Sequence, residues 1–347
     1  MKILFLTACI LSSSLAWGQG CIAAHTNQSI CALSPQTDSR GPSTDILHRF
    51  SIEVDWRSFS SFRHFVGTVE QTQREAQGTQ IKNHQNIYNV AVNYEMSPRW
   101  SMNVSVPVLQ GTRNQLYTPK GIYDIGGIGD IIIGTQAWVF RPPTERGGNI
   151  AFGIGLKLPT GINNGTGTAL LSNGTYGKAV ADQSLQPGDG SWGFTLSSQA
   201  YQPTYFHTIA YFQGSWLFNP RDTNGVLTFR SRPLEKYMSV TDQYLFRGGF
   251  VRHVPKLRGL SASFGGRMEG IPVRDAFGSS NGFRRPGYII SIDPGLLFQR
   301  NRNTLMVNAP WAIQRNRRAS VPDLATNAHG DAAFADYAII AGYAYHF

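Results

Sequence analysis

Residues 336–347 read DYAIIAGYAYHF. From Tyr337 onward every second residue is apolar or aromatic: Tyr337, Ile339, Ala341, Tyr343, Tyr345 and Phe347. Between them stand Ala338, Gly342, Ala344 and His346, with Ile340 as the one exception. A period of two is the signature of a strand with unlike faces. A strand that stays regular up to an aromatic final residue, with no polar tail, is expected to pair along its whole length. The expected partner is the first strand of a closed ring.

The same alternation recurs upstream. Phe50, Ile52, Val54 and Trp56 alternate with Ser51, Glu53, Asp55 and Arg57, and Tyr88, Val90, Val92 and Tyr94 with Asn89, Ala91 and Asn93. Trp100 to Val108, Ile150 to Leu158, Leu260 to Met268 and Leu305 to Ile313 repeat it, and less regular segments lie between them. With the last strand they make about twelve, with ten to fourteen as the range, each near the ~10 residues of a tilted membrane strand. Short turns at SPRW, RPPTERGG, YQPT, VPKLRG and RNRN alternate with long polar links near 65–83, 111–126, 160–190, 219–240, 271–287 and 315–336.

These patterns predict an all-β fold, a transmembrane antiparallel up-and-down β-barrel. In hydrocarbon no water can pair with a backbone N–H or C=O, so strands must close without edges. The apolar half of each strand then meets lipid and the polar half lines a lumen. A secreted soluble sandwich is the competing reading, with its apolar faces turned inward. An even strand count puts both termini at the short-turn rim, expected to be periplasmic. Tyr343, Tyr345 and Phe347 then fall at an interfacial aromatic girdle.

The start of the chain, MKILFLTACILSSSLAWGQG, has a short basic head, an apolar stretch and small cleavage positions. It predicts a signal peptide over 1–20. Residues 21–45 read as a flexible periplasmic leader, and 46–347 as an outer-membrane barrel. Cys21 and Cys31 are read as a disulfide in an oxidising compartment. Lipidation of Cys21 is the alternative, although the leucine usual three residues before such a cysteine is missing.

Thirty-one Lys and Arg against 21 Asp and Glu give a formal charge of +10. Export argues against nucleic acid as the basic chain's partner. Outer-membrane lipid and lipopolysaccharide phosphates, or a charged pore, are the expected counterparts.

Strand parity assigns Glu53, Asp55, Arg57, Asn93, Lys157, Arg247, Arg267, Glu269 and Asn308 to the lumen. Charges of both signs there would brace the wall or set a transverse field on passing solutes. Pro107, Pro294 and Pro310 interrupt strand patterns, where each removes a ladder donor, and are read as wall kinks. Pro159 reads as a simple strand end. Eight histidines are scattered, and none pairs with Ser or Asp in a local motif. No metal-ligand spacing or phosphate loop is present, so no catalytic residue, metal or cofactor is expected.

GGIGDIIIG, GIGLKLPTG, QPGDGSW, GFRRPGY and NRRAS occur in that order at strand ends and loops. With them the chain from about Ile46 to Phe347 resembles the outer-membrane barrel family named for the meta-cleavage pathway of phenol degradation. It is more distantly similar to fatty-acid-type transporters. The resemblance implies a channel or transporter for small solutes, hydrophobic or aromatic ones among them, and assigns no binding residue. Phe347 also resembles the terminal signal read by the barrel-assembly machinery. The function expected is passive passage through a polar lumen. A barrel enzyme of lipase or protease type, or a surface adhesin or receptor, is the alternative.

Overall fold

The computed structural model describes residues 46–116, 118–140 and 147–347, with the side chain of Pro233 excepted. The expected signal peptide, leader and Cys21–Cys31 pair lie outside the described residues.

Twelve antiparallel strands form one closed ring. They are β1 (Phe50–Val66), β2 (Lys82–Glu95), β3 (Trp100–Gln115), β4 (Gly121–Ile128 continued by Ile132–Trp138), β5 (Asn149–Lys157) and β6 (Gly193–Pro203). There follow β7 (Thr208–Phe218), β8 (Gln243–His253), β9 (Leu260–Ile271), β10 (Gly287–Ile292 continued by Gly295–Arg300), β11 (Asn303–Asn308 continued by Trp311–Arg317) and β12 (Ala332–His346). Strand β12 closes the ring on β1, in register from Ser51 opposite His346 to Phe59 opposite Ala338.

The side-chain pattern decides between barrel and sandwich. Ile52, Val54, Val90, Val92, Ile154, Leu156, Phe264 and Val307 are exposed although the barrel wall is intact around them. The residues between them are buried, with Glu53 at 2%, Asp55 at 5% and Arg57 at 2% exposure. Apolar outside and polar inside is the inverse of a soluble core, and is what a membrane-spanning barrel requires. Glycines let the wall bend sharply. A Cβ on Gly249 would stand 2.3 Å from the Phe264 carbonyl oxygen, and one on Gly265 2.3 Å from that of Gly248.

The strands run further than the apolar alternation indicates. β1 continues to Val66, and β3 runs to Gln115 with β4 starting at Gly121, so most of the link expected over 111–126 is paired strand, whereas that over 65–83 is strand only at its ends and at Val69–Glu70. Above the apolar rows the outer face turns polar, with Lys82, His84 and Asn86 on β2 and Gln110, Thr112 and Asn114 on β3. Both faces are then hydrophilic, so the hydropathy signal vanishes while the backbone ladder continues.

A cation on the apolar outer face should be costly in lipid and cheap in the lumen. Phe264→Arg is expected to lower stability by about 2–4 kcal/mol, measured by denaturant-driven refolding into phospholipid vesicles, and Ser263→Arg by clearly less.

Candidate functional site

The interior is organised by the connection between β5 and β6. It first rises as a hairpin of Thr166–Leu170 and Tyr176–Val180. Ala169, Ala181 and Leu185 pack there against Tyr123 and Ile125 of β4. Residues 181–191 then turn down into the barrel and are mostly buried. Asp182 starts this descent, its carboxylate accepting from the Ser184 amide at 3.0 Å and capping the turn Gln183–Leu185.

Two ionic anchors hold the descending loop. Asp182 pairs with Arg285, from the link before β10, and lies 3.8 Å from Arg113 on β3. Burial alone would raise the Asp182 carboxyl, but the two guanidinium groups, with hydrogen bonds from Arg285 and Ser184, hold it well below the usual carboxylate range. Burial in turn brings the Arg285 guanidinium down to about 10, against the pull of Asp182. At the second anchor Lys157 bridges Asp189 on the loop and Asp130 in the β4 break, 3.6 Å from the latter. Asp130 also accepts from the amides of Gly161 at 2.9 Å and Asp189 at 3.0 Å. The backbones touch here. A Cβ on Gly161 would come within 2.7 Å of the Gly188 Cα, and one on Gly188 within 2.7 Å of the Gly161 Cα.

Below the loop remains a cavity of about 110 Å³, bounded by Asn89, Pro107, Leu109, Asp189, Leu217 and Met238 among others. Its size is of the order of the ~150 Å³ apolar cavity that takes up benzene. Elsewhere the lumen is crossed by a strut: Arg57 of β1 meets Glu269 of β9, which also accepts from Arg267 Nε at 3.1 Å. Arg247 pairs with Asp293 at 3.2 Å, and Asn308 donates to the same carboxylate at 3.1 Å.

The wall itself is incomplete between β11 and β12. Below Pro310 the two strands pair from Asn303–Tyr345 to Asn308–Ile340. Above it the only pair is Trp311 with Tyr337, whose rings stack outside at 5.6 Å. From there Ala312–Arg317 follows β10, while Ala332–Ala335 follows β1. The two sides rejoin at the top, where Gly67 and Arg317 exchange backbone hydrogen bonds of 2.9 and 2.8 Å. Between these limits Phe65 and Phe334 meet edge to face at 5.5 Å and, with Ile289, Ala312 and Ala332, fill the window. Arg315 spans it, donating from Nε to the Ala335 carbonyl at 3.1 Å and pairing with Asp336, to which Arg63 adds a contact of 2.9 Å. A cleft of about 20 Å³, room for a single water, runs from Tyr337 to Arg57 and Glu269.

Of the residues assigned to the lumen, Glu53, Asp55, Arg57, Lys157, Arg247, Arg267, Glu269 and Asn308 are buried on the inner face, and Asn93 is half-buried in the same row. Pro107 lies opposite the break at 129–131, its carbonyl accepting from Gly129 at 2.8 Å, while Pro294 and Pro310 sit in the breaks of β10 and β11. Pro107 is central in β3, which continues to Gln115. The anchor residues Asp130, Asp182, Asp189, Arg113 and Arg285 were not singled out. Yet Asp130, Asp189 and Arg285 stand inside GGIGDIIIG, QPGDGSW and GFRRPGY, which meet around this loop.

Sequence reading also missed a Ser–His contact, since its partners sit on neighbouring strands. Ser60 Oγ lies 2.9 Å from His84 Nδ1, and Asn86 Nδ2 3.2 Å from His84 Nε2. Trp56 donates its indole N–H to Asn86 Oδ1 at 3.1 Å, which fixes the amide. Asn86 therefore donates to Nε2, and the imidazole proton sits on Nδ1, pointing at Ser60. A serine nucleophile needs the opposite polarity. His64 is likewise spent, between the Asp331 carboxylate at 3.1 Å and the Ile81 amide at 3.0 Å. Among the described residues no three His, Cys, Asp or Glu side chains converge to hold a metal.

No protein-family model matches the chain, and no curated protein matches its sequence. Among solved structures it is similar to the COG4313 outer membrane channel from Pseudomonas putida F1, at 11% identity and a TM-score of 0.57 over 89% of this chain and 100% of that one. The β domain of the Bordetella autotransporter BrkA aligns at 11% identity and 0.46, over 85% of this chain and 99% of that one. The P. putida toluene transporter TodX aligns at 7% identity and 0.43, over 96% and 99%. What is shared with the first is the fold; the other two are too distant to bear on more.

Asp182→Asn should release the loop, because two buried guanidinium groups lose their counter-charge. In an Arg57→Ala background, where the strut to Glu269 is gone, adding Asp182→Asn is expected to raise the occupancy of conducting states in planar bilayers at least about tenfold. The sign with pH follows from the lowered carboxyl. Its contribution is complete above the ordinary Asp value of about 3.9 and is lost only as pH falls through the lower folded value. Wild-type conductance should therefore stay low from neutral pH down to about pH 4.

Proposed function

We propose that the chain is an outer-membrane channel that passes small hydrophobic or aromatic solutes passively from the long-loop side. An expected signal peptide, a closed barrel with an apolar exterior and a fold shared with an outer membrane channel support the location. The observation that carries the transport reading is the window between β11 and β12. A barrel built only to sit in lipid gains nothing from leaving a stretch of its ladder unpaired, since unsatisfied backbone groups are costly there. Here the stretch is filled by side chains, and side chains can rotate away.

The route begins where the loop over 181–191 detaches and admits a solute to the cavity beneath it, whose lining mixes Pro107, Leu109, Leu217 and Met238 with Asn89 and Asp189. From the lumen an apolar molecule has two exits: along the polar lumen past the Arg57–Glu269 strut, or sideways through the window into the bilayer. The sideways exit suits apolar cargo, because transfer from water is favourable by about 25 cal/mol per Å² of apolar surface. Glu53, Asp55, Arg247 and Arg267 keep the lumen hydrated on the first path.

Uptake of a monoaromatic hydrocarbon into proteoliposomes holding an internal sensor separates the exits. Ala335→Trp fills the window and should cut uptake about tenfold while leaving ionic conductance unchanged; Arg315→Ala should raise uptake. Equal uptake by wild type and Ala335→Trp would remove the sideways exit, and no uptake by any variant would remove the transport reading.

A further inference from the structure

The short-turn rim under β8–β11 carries an uncompensated basic surface that the channel reading does not use. Arg252, Lys256, Arg258, Arg300 and Arg302 fall in two neighbouring hairpins, and all but the half-buried Arg302 are exposed. Neither residues 250–264 nor residues 294–308 contain an Asp or Glu. At the other end of the barrel the arginines buried or half-buried inside have acidic partners: Arg113 and Arg285 share Asp182, Arg230 pairs with Glu235, Arg284 with Asp275 and Arg317 with Asp323. Five cations thus stand together on this rim with no carboxylate side chain in their own two hairpins.

Strand geometry aims them at the membrane surface. Arg252 extends the outward row of Phe246 and Phe250, and Arg300 that of Leu296 and Phe298, so each cation lies at the edge of the lipid-facing rows. The turn between β8 and β9 is held by hydrogen bonds from Val254 to Leu260 and from Leu257 to Val254, and it presents Lys256 at a φ of +69°. Leu257 beside it is 53% exposed, and Tyr205 and Phe206 on the preceding short turn are 87% and 81% exposed. Greasy turn tips among cations fit a headgroup layer better than open water.

We infer that this rim is a binding surface for anionic phospholipid headgroups of the leaflet in which the short turns lie. The phosphodiester supplies the charge, its acyl chains continue along Phe250, Phe264 and Phe298, and the contact orients the barrel and concentrates anionic lipid beneath β8–β11.

The test uses the full chain in nanodiscs of phosphatidylglycerol and phosphatidylcholine in equal parts, with native mass spectrometry of the lipids it retains. Wild type should retain phosphatidylglycerol preferentially at low salt and lose the preference as salt rises. Neutralising the five residues with Arg252→Gln, Lys256→Gln, Arg258→Gln, Arg300→Gln and Arg302→Gln should lower the preference about tenfold. A matched variant with the exposed long-loop cations Lys120, Lys178, Arg221, Arg274 and Arg318 changed to Gln should keep it. The salt series on wild type stands even where the first variant folds poorly. Equal retention by wild type and the first variant, loss in both variants, or displacement by inorganic phosphate at constant ionic strength would each overturn the inference.

Discussion

Everything in this molecule answers to the need to pair each backbone N–H and C=O where no water can do so. Closure of β12 on β1 is the global answer, and the local answers appear wherever a strand is interrupted. At the β4 break Gly129 donates to Pro107 and Leu158 to Ile131, both at 2.8 Å; at the β10 break Asp293 donates to Gly265 at 2.8 Å. Those repairs are made by main chain, and main chain cannot move without moving strands. Above Pro310 the repair is different. The Ala335 carbonyl is met by the Arg315 guanidinium, on a side chain with several rotatable bonds. The wall is therefore closed by main chain alone at two of its interruptions and partly by a side chain at the third.

The same constraint explains the interior. A twelve-strand wall with polar residues facing inward encloses charges that must find partners across space. The Arg57–Glu269 contact joins β1 to β9, with three strands between them in the ring. The descending loop supplies Asp182 and Asp189 to cations that the wall presents, so the loop is attracted by the lumen it closes. A buried ion pair of this kind contributes little net stability, because desolvation offsets the Coulomb gain, but losing one partner is expensive. Such anchors specify where the loop sits more than they strengthen the fold.

How much of this could be read in advance follows the same division. The apolar rows, the inward charges and the three interrupting prolines were visible because a period of two survives at membrane depth. Strand extensions such as Gln110–Gln115 were not, because polar residues stand on both faces there. Asp182 and Arg113 were invisible as a pair, since loop conformation brings them together and local pattern does not. Asp130 and Asp189 were closer to reach. Each stands beside glycines in a motif already noted, and the glycines are there because backbones from two segments touch. The Ser60–His84 contact shows the converse: residues of the right types came together, and a neighbouring indole set the wrong proton position for catalysis.

The two closures in this barrel differ in what they exclude. Ions need an unbroken column of water, so the loop and the strut block them in series, and freeing one leaves the other. A small apolar molecule needs no such column. Each CH2 it moves from water into hydrocarbon is worth about 0.8 kcal/mol, and on the proposed sideways route the window would lead into the bilayer just above Trp311 and Tyr337, whose stacked rings form its lower edge. With the loop displaced, the strut still stands across the axial path, while the side path is barred by the Arg315–Asp336 pair and the cluster of Phe65, Ile289, Ala312, Ala332 and Phe334. Selectivity for apolar cargo would then come from where the exit leads, with no pocket shaped to a particular solute.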